Sequence, residues 1–358
     1  MPLKNDGDFL LKNGRSFCRY GGPSFNAFPF NAGTNAKALR EWTRGLGPVT
    51  NTKGTHQHAA DKLNPPSNVA APATTNDYRC IDECLSLLRG GMLTHPSQFL
   101  YCSILVPHPP YATNATYLEA VKSLEVHPVK QVPLDQLHPN DVATATLKGT
   151  LDLDTVSVAE LERFRRIYFS MCYEADSFLG QLIEALNKSG ARQSTYVLMI
   201  SDHSEDNTEH RQLGKNNMYD SGSRVAMMLS GPGIAPNQVL GVDKIASLND
   251  VYPTVVDMAG LSIPTGLAGS SLLPLVNGKG DPARKDFITA QYHSVFSVTG
   301  EFMIRQGDYK MIKYGKNQFG GVWPPQLFHM KEVRVCLTCS SSLLLVYVML
   351  DACVARCF

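Results

Sequence analysis

Apolar residues occur along the chain in two kinds of run. The short, unbroken ones end in turn residues. The run 98–106 is closed by Pro107-His108-Pro109-Pro110. Tyr196-Val197-Leu198-Met199-Ile200 leads into Ser201-Asp202-His203, and 225–230 stops at Gly231-Pro232-Gly233. Their length and boundaries predict buried strands. The longer runs keep helical period. Ile81, Cys84, Leu85 and Leu88 share one face of a helix predicted over 77–89. Leu161, Phe164, Tyr168, Met171, Cys172, Ala175, Leu179, Leu182 and Leu186 do the same from Ser157 to Lys188. Ser157-Val-Ala-Glu160 is a capping-box pattern at the start of that helix, and Gly190 is its stop. Another helix follows Asn249-Asp250 and stops at Gly260. Residues 302–314 alternate as two antiparallel strands around Gly307-Asp308. Strands alternating with helices predict an α/β fold: a mostly parallel sheet with helices on both faces.

The intervening stretches carry weaker signals. Residues 1–36 are rich in Gly, Asn, Pro and Phe without a period, and 37–47 predict a short helix around Trp42. The 50–75 stretch, with His56 and His58, reads as an exposed loop, and 112–153 as loop-rich chain. The apolar run 343–350 falls short of the ~20 residues that span a bilayer.

Composition narrows the function classes. A chain of 358 residues with 43% apolar content holds one large α/β domain or two ordinary ones. Its 33 basic and 32 acidic residues give no excess charge for nucleic acid or an anionic membrane. The nine cysteines are too unevenly spread for a disulfide scaffold. Cys336-Leu-Thr-Cys339 lacks a second pair at zinc spacing. Asn114-Ala-Thr and Asn187-Lys-Ser are glycosylation sequons, relevant only in the secretory path. Met1-Pro2-Leu3-Lys4 opens without the apolar core of a signal peptide.

The candidate chemistry follows the second predicted strand. Carboxyl ends of strands are where open α/β sheets build sites. Asp202 and His203 stand there, with His210 and Lys215 at +8 and +13 from Asp202. Carboxylate oxygen suits a hard divalent cation, and imidazole can complete the shell. An ammonium beside such an ion suits a sulfate or phosphate oxygen. His108 ends another predicted strand, where an imidazole can protonate a leaving oxygen or hold an anion. A loop histidine stiffened by prolines is the equal alternative.

An ordered series of segments then identifies a family. It comprises Glu41-Trp42-Thr43-Arg44, Pro107-His108-Pro109, and Phe169-Ser-Met171-Cys172-Tyr-Glu174-Ala-Asp176. Ser201-Asp202-His203, Glu209-His210-Arg211-Gln212, Lys215 and Met218-Tyr219 follow, then Gly231-Pro232-Gly233-Ile234. Ser247-Leu-Asn249-Asp250-Val251-Tyr-Pro253-Thr254, Gly269-Ser270-Ser271-Leu272-Leu273 and Pro325-Gln326-Leu327-Phe328 complete it. Over roughly residues 20–330 the chain resembles the sulfatases of the alkaline-phosphatase superfamily, and among them the arylsulfatase K branch. The resemblance implies a hydrolase of sulfate esters, with a 2-O-sulfated uronate of glycosaminoglycans as the branch's substrate. It implies Asp202 and His203 as ligands of one Ca2+ ion and Lys215 on the sulfate. His108 would face the sulfate or leaving group, and His210 would lie near the substrate. It also implies a lysosomal or secreted setting and an acidic optimum. The family's nucleophile is a formylglycine, which a formylglycine-generating enzyme makes from the Cys of Cys-x-Pro-Ser-Arg.

The chain departs from the family pattern in places. It contains no Cys-x-Pro-Ser-Arg and no early Asp-Asp pair. Gly22 stands where Tyr-Gly-Lys would place a lysine, and Ser204 replaces the Gly after Asp-His. These departures lead to the expectation of a sulfatase shortened at its N-terminus. An α/β domain would occupy 1–285, lacking its first strand and nucleophile segment. Part of a small C-terminal antiparallel sheet would occupy 286–330, and 331–358 would be an aberrant tail. Two other readings stand beside it: a catalytically dead sulfatase-like binding module, and a phosphoesterase of the same superfamily.

Overall fold

The computed structural model describes residues 76–90, 98–109, 111–127, 129–238, 240, 244–282, 284–294, 296–317 and 320–330. The expectations for 1–75 (the helix around Trp42, the loop with His56 and His58, Gly22) and for the 331–358 tail lie outside these residues. The longer helices are α1 (Asn76–Arg89), α2 (Ala115–Ala120), α3 (Pro139–Lys148), α4 (Val158–Lys188) and α5 (Val251–Met258). The strands are β1 (Val197–Ile200), β2 (Asp206–Asn207), β3 (Leu213–Gly214), β4 (Met227–Ser230), β5 (Phe287–Tyr292), β6 (Glu301–Gln306), β7 (Tyr309–Tyr314) and β8 (Gln326–His329). They fall into two compact units. The first joins the described residues up to Lys130 to Asp152–Thr195, and the second joins Gln131–Leu151 to the described residues from Tyr196 onward.

The first unit is helical. Ser157 and Glu160 form the predicted reciprocal cap: Glu160 N–H donates to Ser157 Oγ at 3.3 Å and Ser157 N–H to Glu160 Oε2 at 3.2 Å. The buried face of α4 runs through Leu161, Phe164, Ile167, Met171, Phe178 and Ala185. Ile81, Leu85 and Leu88 of α1 pack on Phe178 and Ala185. The period was right, but the stripe centres on Ile167 and Phe178 rather than Tyr168 and Leu179.

The strand predicted at 98–106 does not form: these residues have no strand partner among those described. Leu100, Ile104 and Val106 still bury against the α1–α4 core. The Leu105 and Val106 N–H groups donate to the two carboxylate oxygens of Asp77, at 2.9 and 3.0 Å. A side chain takes the place of a neighbouring strand, which an apolar run alone does not reveal. A Cys84–Cys102 disulfide ties the same segment to α1.

The 112–153 stretch is more helical than expected. Asn114 Oδ1 caps α2, accepting from the Thr116 and Tyr117 N–H groups at 2.9 and 3.2 Å. This sequon asparagine is only 7% exposed. In the second unit, His138 caps α3, Pro139 takes its first turn, and Gly149 ends it at a left-handed φ of 61°.

The second unit carries the sheets. β5–β8 form a four-stranded antiparallel sheet, with the β6–β7 turn at Gly307-Asp308 as predicted. Met303, Ile312, Tyr314 and Phe328 of this sheet pack with Met218 and Tyr219. β1 pairs with β4 antiparallel, Ile200 opposite Met227. Every strand pair among the described residues is antiparallel, so the parallel pairs expected of an α/β sheet are not among them. Parallel pairing needs a crossover of a dozen residues or more, usually a helix. Between β1 and β4 the chain folds instead into the short β2–β3 hairpin and a one-turn helix, Asp220–Ser223.

Candidate active site

The loop after β1 is held by its own hydrogen bonds. Ser201 N–H donates to Ala226 O at 3.2 Å and Ser204 N–H to Gly222 O at 3.0 Å. Ser201 Oγ donates to His203 O at 2.5 Å. Asp202 points outward, its side chain 84% exposed, with Oδ2 lying 3.3 Å from His203 Nε2. His203 Nδ1 lies 2.9 Å from Ser204 O. A carbonyl only accepts, so Nδ1 donates to it, and Nε2 is the ring nitrogen that faces the Asp202 carboxylate. One carboxylate oxygen and one imidazole nitrogen thus lie side by side, donor types that suit two ligands of a single hard cation. Among the described residues no group of three or more His, Cys, Asp or Glu is arranged to hold an ion.

The β2–β3 hairpin turns Lys215 back toward this loop. Asp206 pairs with Gly214 and Asn207 with Leu213. Continued by one residue, this register sets Lys215 opposite Glu205, just past Asp202-His203. Gly214 makes the exit from β3 with a φ of 82°, a conformation glycine adopts without steric cost. Burial pushes the Lys215 pKa down, while the Glu205 and Asp202 carboxylates push it up. The Lys215 side chain therefore sits half-buried in the field of the Glu205 and Asp202 carboxylates.

The turn 208–211 is backbone-strained: Thr208, His210 and Arg211 all have positive φ, at 83°, 53° and 57°. It stacks His210 on Tyr219, ring centroids 3.8 Å apart and planes 9° from parallel. Burial lowers the His210 pKa to about 4. Arg211 turns inward, its guanidinium donating to Leu151 O at 2.5 Å and Val132 O at 3.2 Å.

Beneath the loop lies a buried polar cluster that sequence reasoning missed. Asp206 accepts from Ser221 Oγ and Asn217 Nδ2, both at 2.5 Å. Glu301 accepts from Asn140 Nδ2 at 2.8 Å and Met218 N–H at 3.1 Å. The Tyr219 hydroxyl lies 2.6 Å from Asp141 Oδ2 and 2.9 Å from Gln326 Oε1. Desolvation raises Asp141 to about 8, Glu301 to about 7 and Asp206 to about 6. Lys148 is the cation among them, its own pKa lowered by burial. The signal that could have found this cluster is the Pro139–Gly149 frame of α3, which marks a helix whose inner face is polar.

Asp202, His203, His210 and Lys215 thus lie on one continuous segment of the second unit. His108 sits in the first unit, in a turn closed by its N–H donating to Leu105 O at 2.7 Å, with Nδ1 2.6 Å from Pro109 O.

Comparison with known proteins shows the family and the fold. The Sulfatase family model matches residues 25–261, and the model for the N-sulphoglucosamine sulphohydrolase C-terminal region matches residues 208–323. Arylsulfatase K of Mus musculus is 30% identical over 342 residues, covering 90% of this chain and 59% of that protein. Arylsulfatase K of Homo sapiens is 31% identical over 276 residues, covering 72% of this chain and 50% of that protein. The chain therefore spans about three fifths or less of the length of these relatives. Among solved structures, a 2-O GAG sulfatase superposes with a TM-score of 0.62 at 19% identity, over 81% of this chain and 66% of that one. The phosphonate monoester hydrolase of Silicibacter pomeroyi gives a TM-score of 0.63 at 18% identity, over 90% and 69%. These two likenesses establish an alkaline-phosphatase-like α/β fold. The matched family model, which takes in the Asp202-His203 loop and Lys215, establishes more: the chain belongs to the sulfatase family.

Proposed function

We propose that the chain is the sulfate-recognising portion of a hydrolase of sulfate esters, acting on a sulfated carbohydrate of the glycosaminoglycan type. The observation that carries this reading is the β2–β3 register, which sets Lys215 opposite Glu205 and in the field of the Asp202 carboxylate. Sulfatases in general use a divalent ion, usually Ca2+ or Mg2+. Asp202 and His203 would hold Ca2+ here, and that ion supplies a fixed positive charge toward a sulfate oxygen. Lys215 donates to a second oxygen of the same group, and its half-burial strengthens that contact. His210, neutral and wedged on Tyr219, contributes shape and one N–H rather than charge. His108 is proposed, from the family resemblance alone, to give a proton to the leaving oxygen.

The nucleophile proposed from the resemblance is formylglycine, which makes the formylglycine-generating enzyme a partner of the complete protein. The likeness to arylsulfatase K and to a 2-O GAG sulfatase supports a 2-O-sulfated uronate as substrate. The Cys84–Cys102 disulfide supports an oxidising, secretory or lysosomal setting. No helix among the described residues is long and apolar enough to cross a membrane.

The test is binding of a 2-O-sulfated disaccharide by this chain, together with hydrolysis of an aryl sulfate against the matching aryl phosphate by a longer form that supplies a Cys-x-Pro-Ser-Arg segment. Preference for the sulfate ester, lowered at least about 100-fold by Lys215→Ala, supports the proposal. Preference for the phosphate ester makes the protein a phosphoesterase of the superfamily. Binding of the sugar with no turnover of either ester makes it a sulfatase-like binding module.

A further inference from the structure

The polar inner face of α3 leads to the segment that carries Lys215. Lys148, the last residue of α3, is 7% exposed. Its Nζ donates to the carbonyl oxygens of Leu213 at 3.0 Å and Lys215 at 2.5 Å. An ammonium so far from water persists only where hydrogen bonds and opposite charge replace its hydration. Both are present: the two carbonyls accept its protons, and the Asp206, Glu205 and Glu301 carboxylates supply the opposing field. The two bonds straddle Gly214, the left-handed residue at which the chain leaves β3. The segment's other end is fixed from the same side, because Thr150, just past α3, donates through Oγ1 to Arg211 O at 2.6 Å. Residues 211–215 are therefore tethered at both ends by α3 and the residues that follow it.

We propose that Lys148 is a positioning residue for Lys215: its buried ammonium clamps the Leu213 and Lys215 carbonyls, so that the Lys215 side chain is presented beside Asp202 and Glu205. This rests on the reading of Lys215 as a sulfate-binding residue. Lys148 spends its hydrogen bonds on main chain and acts on an anion only through Lys215. A neutral donor is a poor substitute, since charge-assisted bonds to two carbonyls are stronger than neutral ones.

The experiment titrates inorganic sulfate into the whole chain by calorimetry, for wild type, Lys148→Met, Lys215→Ala and the double variant. Lys148→Met is expected to weaken sulfate binding about tenfold, the worth of one charge-assisted hydrogen bond. In the Lys215→Ala background the same change is expected to have no further effect, as required of a residue that acts through another. Amide exchange in 212–216 should quicken, while the β6–β7 hairpin keeps its protection. Lys148→Gln, which loses the charge but keeps N–H donors, gives the reading if the Met variant does not fold. Its sulfate affinity should fall between those of wild type and Lys215→Ala. Weaker binding in Lys215→Ala but not in Lys148→Met or Lys148→Gln overturns the positioning role alone. Unchanged binding in Lys215→Ala removes Lys215 from the anion site and the proposal with it. Additive losses in the double variant, with exchange quickened throughout the unit, reduce Lys148 to a general stabiliser and also overturn it.

Discussion

His210 and Lys215 are both half-buried on one short segment, yet their surroundings differ. Burial against Tyr219 holds the His210 imidazole near a pKa of about 4, so it is neutral throughout the range from pH 5 to pH 8. Its ring resonances should therefore show no titration between those limits by NMR. A midpoint near the ordinary value, about 6.5, would place His210 in solvent and sink this description. Lys215 has Glu205 and Asp202 to offset its desolvation. Removing its ammonium should cost sulfate binding or turnover far more than stability, and a denaturation midpoint compared with sulfate affinity separates the two. At this scale the sequence was informative because the candidate residues Asp202, His203, His210 and Lys215 lie on one short segment. It was silent on Asp141 and Glu301, whose partners come from distant parts of the second unit, and on Asp206, which Asn217 and Ser221 meet only once the β2–β3 hairpin forms.

The helices differ in how visibly the chain encodes them. α4 declares itself through a capping box and a long apolar stripe, and both are realised. Ser157→Ala should lower the stability of its unit by about 1 kcal/mol, read as a shifted urea midpoint, whereas Ser157→Asp should retain most of the cap. No shift in the Ala variant would mean that the cap is redundant with packing. α3 gives no such apolar signal, because its buried residues include Asn140, Asp141, Thr144 and Lys148. These occupy one helical face, but a periodicity search for apolar residues passes over them. The 98–106 segment fails in the opposite sense. Its apolar run is buried as expected on one side, but the Asp77 carboxylate takes two of its N–H groups. The choice between strand and anchored loop depended on a residue more than twenty positions away.

Across the whole molecule the buried acids set a pH dependence. Asp141, Glu301 and Asp206 have folded pKa values of about 8, 7 and 6, against about 4 in an unfolded chain. Between those limits the folded state holds more protons, so stability is greatest in acid and falls as pH rises through the folded values. A protonated Asp141 also resolves a donor conflict. The single Tyr219 proton cannot serve both Asp141 and Gln326, but an Asp141 O–H can donate to Tyr219 while Tyr219 donates to Gln326. The melting temperature should thus be higher at pH 5 than at pH 8, by at least ~2–4 °C. A rise toward pH 8 would show that the carboxylates stay ionised and charge-balanced. The lowered Lys148 pKa acts in the opposite direction, which confines the comparison to this window. Reduction of Cys84–Cys102 should separately destabilise the first unit by about 2–4 kcal/mol, seen as a lower urea midpoint under reductant. By itself the sequence determined the α/β class, α1, α4, the β6–β7 hairpin and the family. These rest on local period, caps, turns and short-range motifs. Only the tertiary structure decided the antiparallel β1–β4 pairing, the anchored 98–106 segment and the clamp from α3 onto Lys215. Each of these depends on which distant group satisfies a buried donor, acceptor or charge, and a linear pattern does not carry that information.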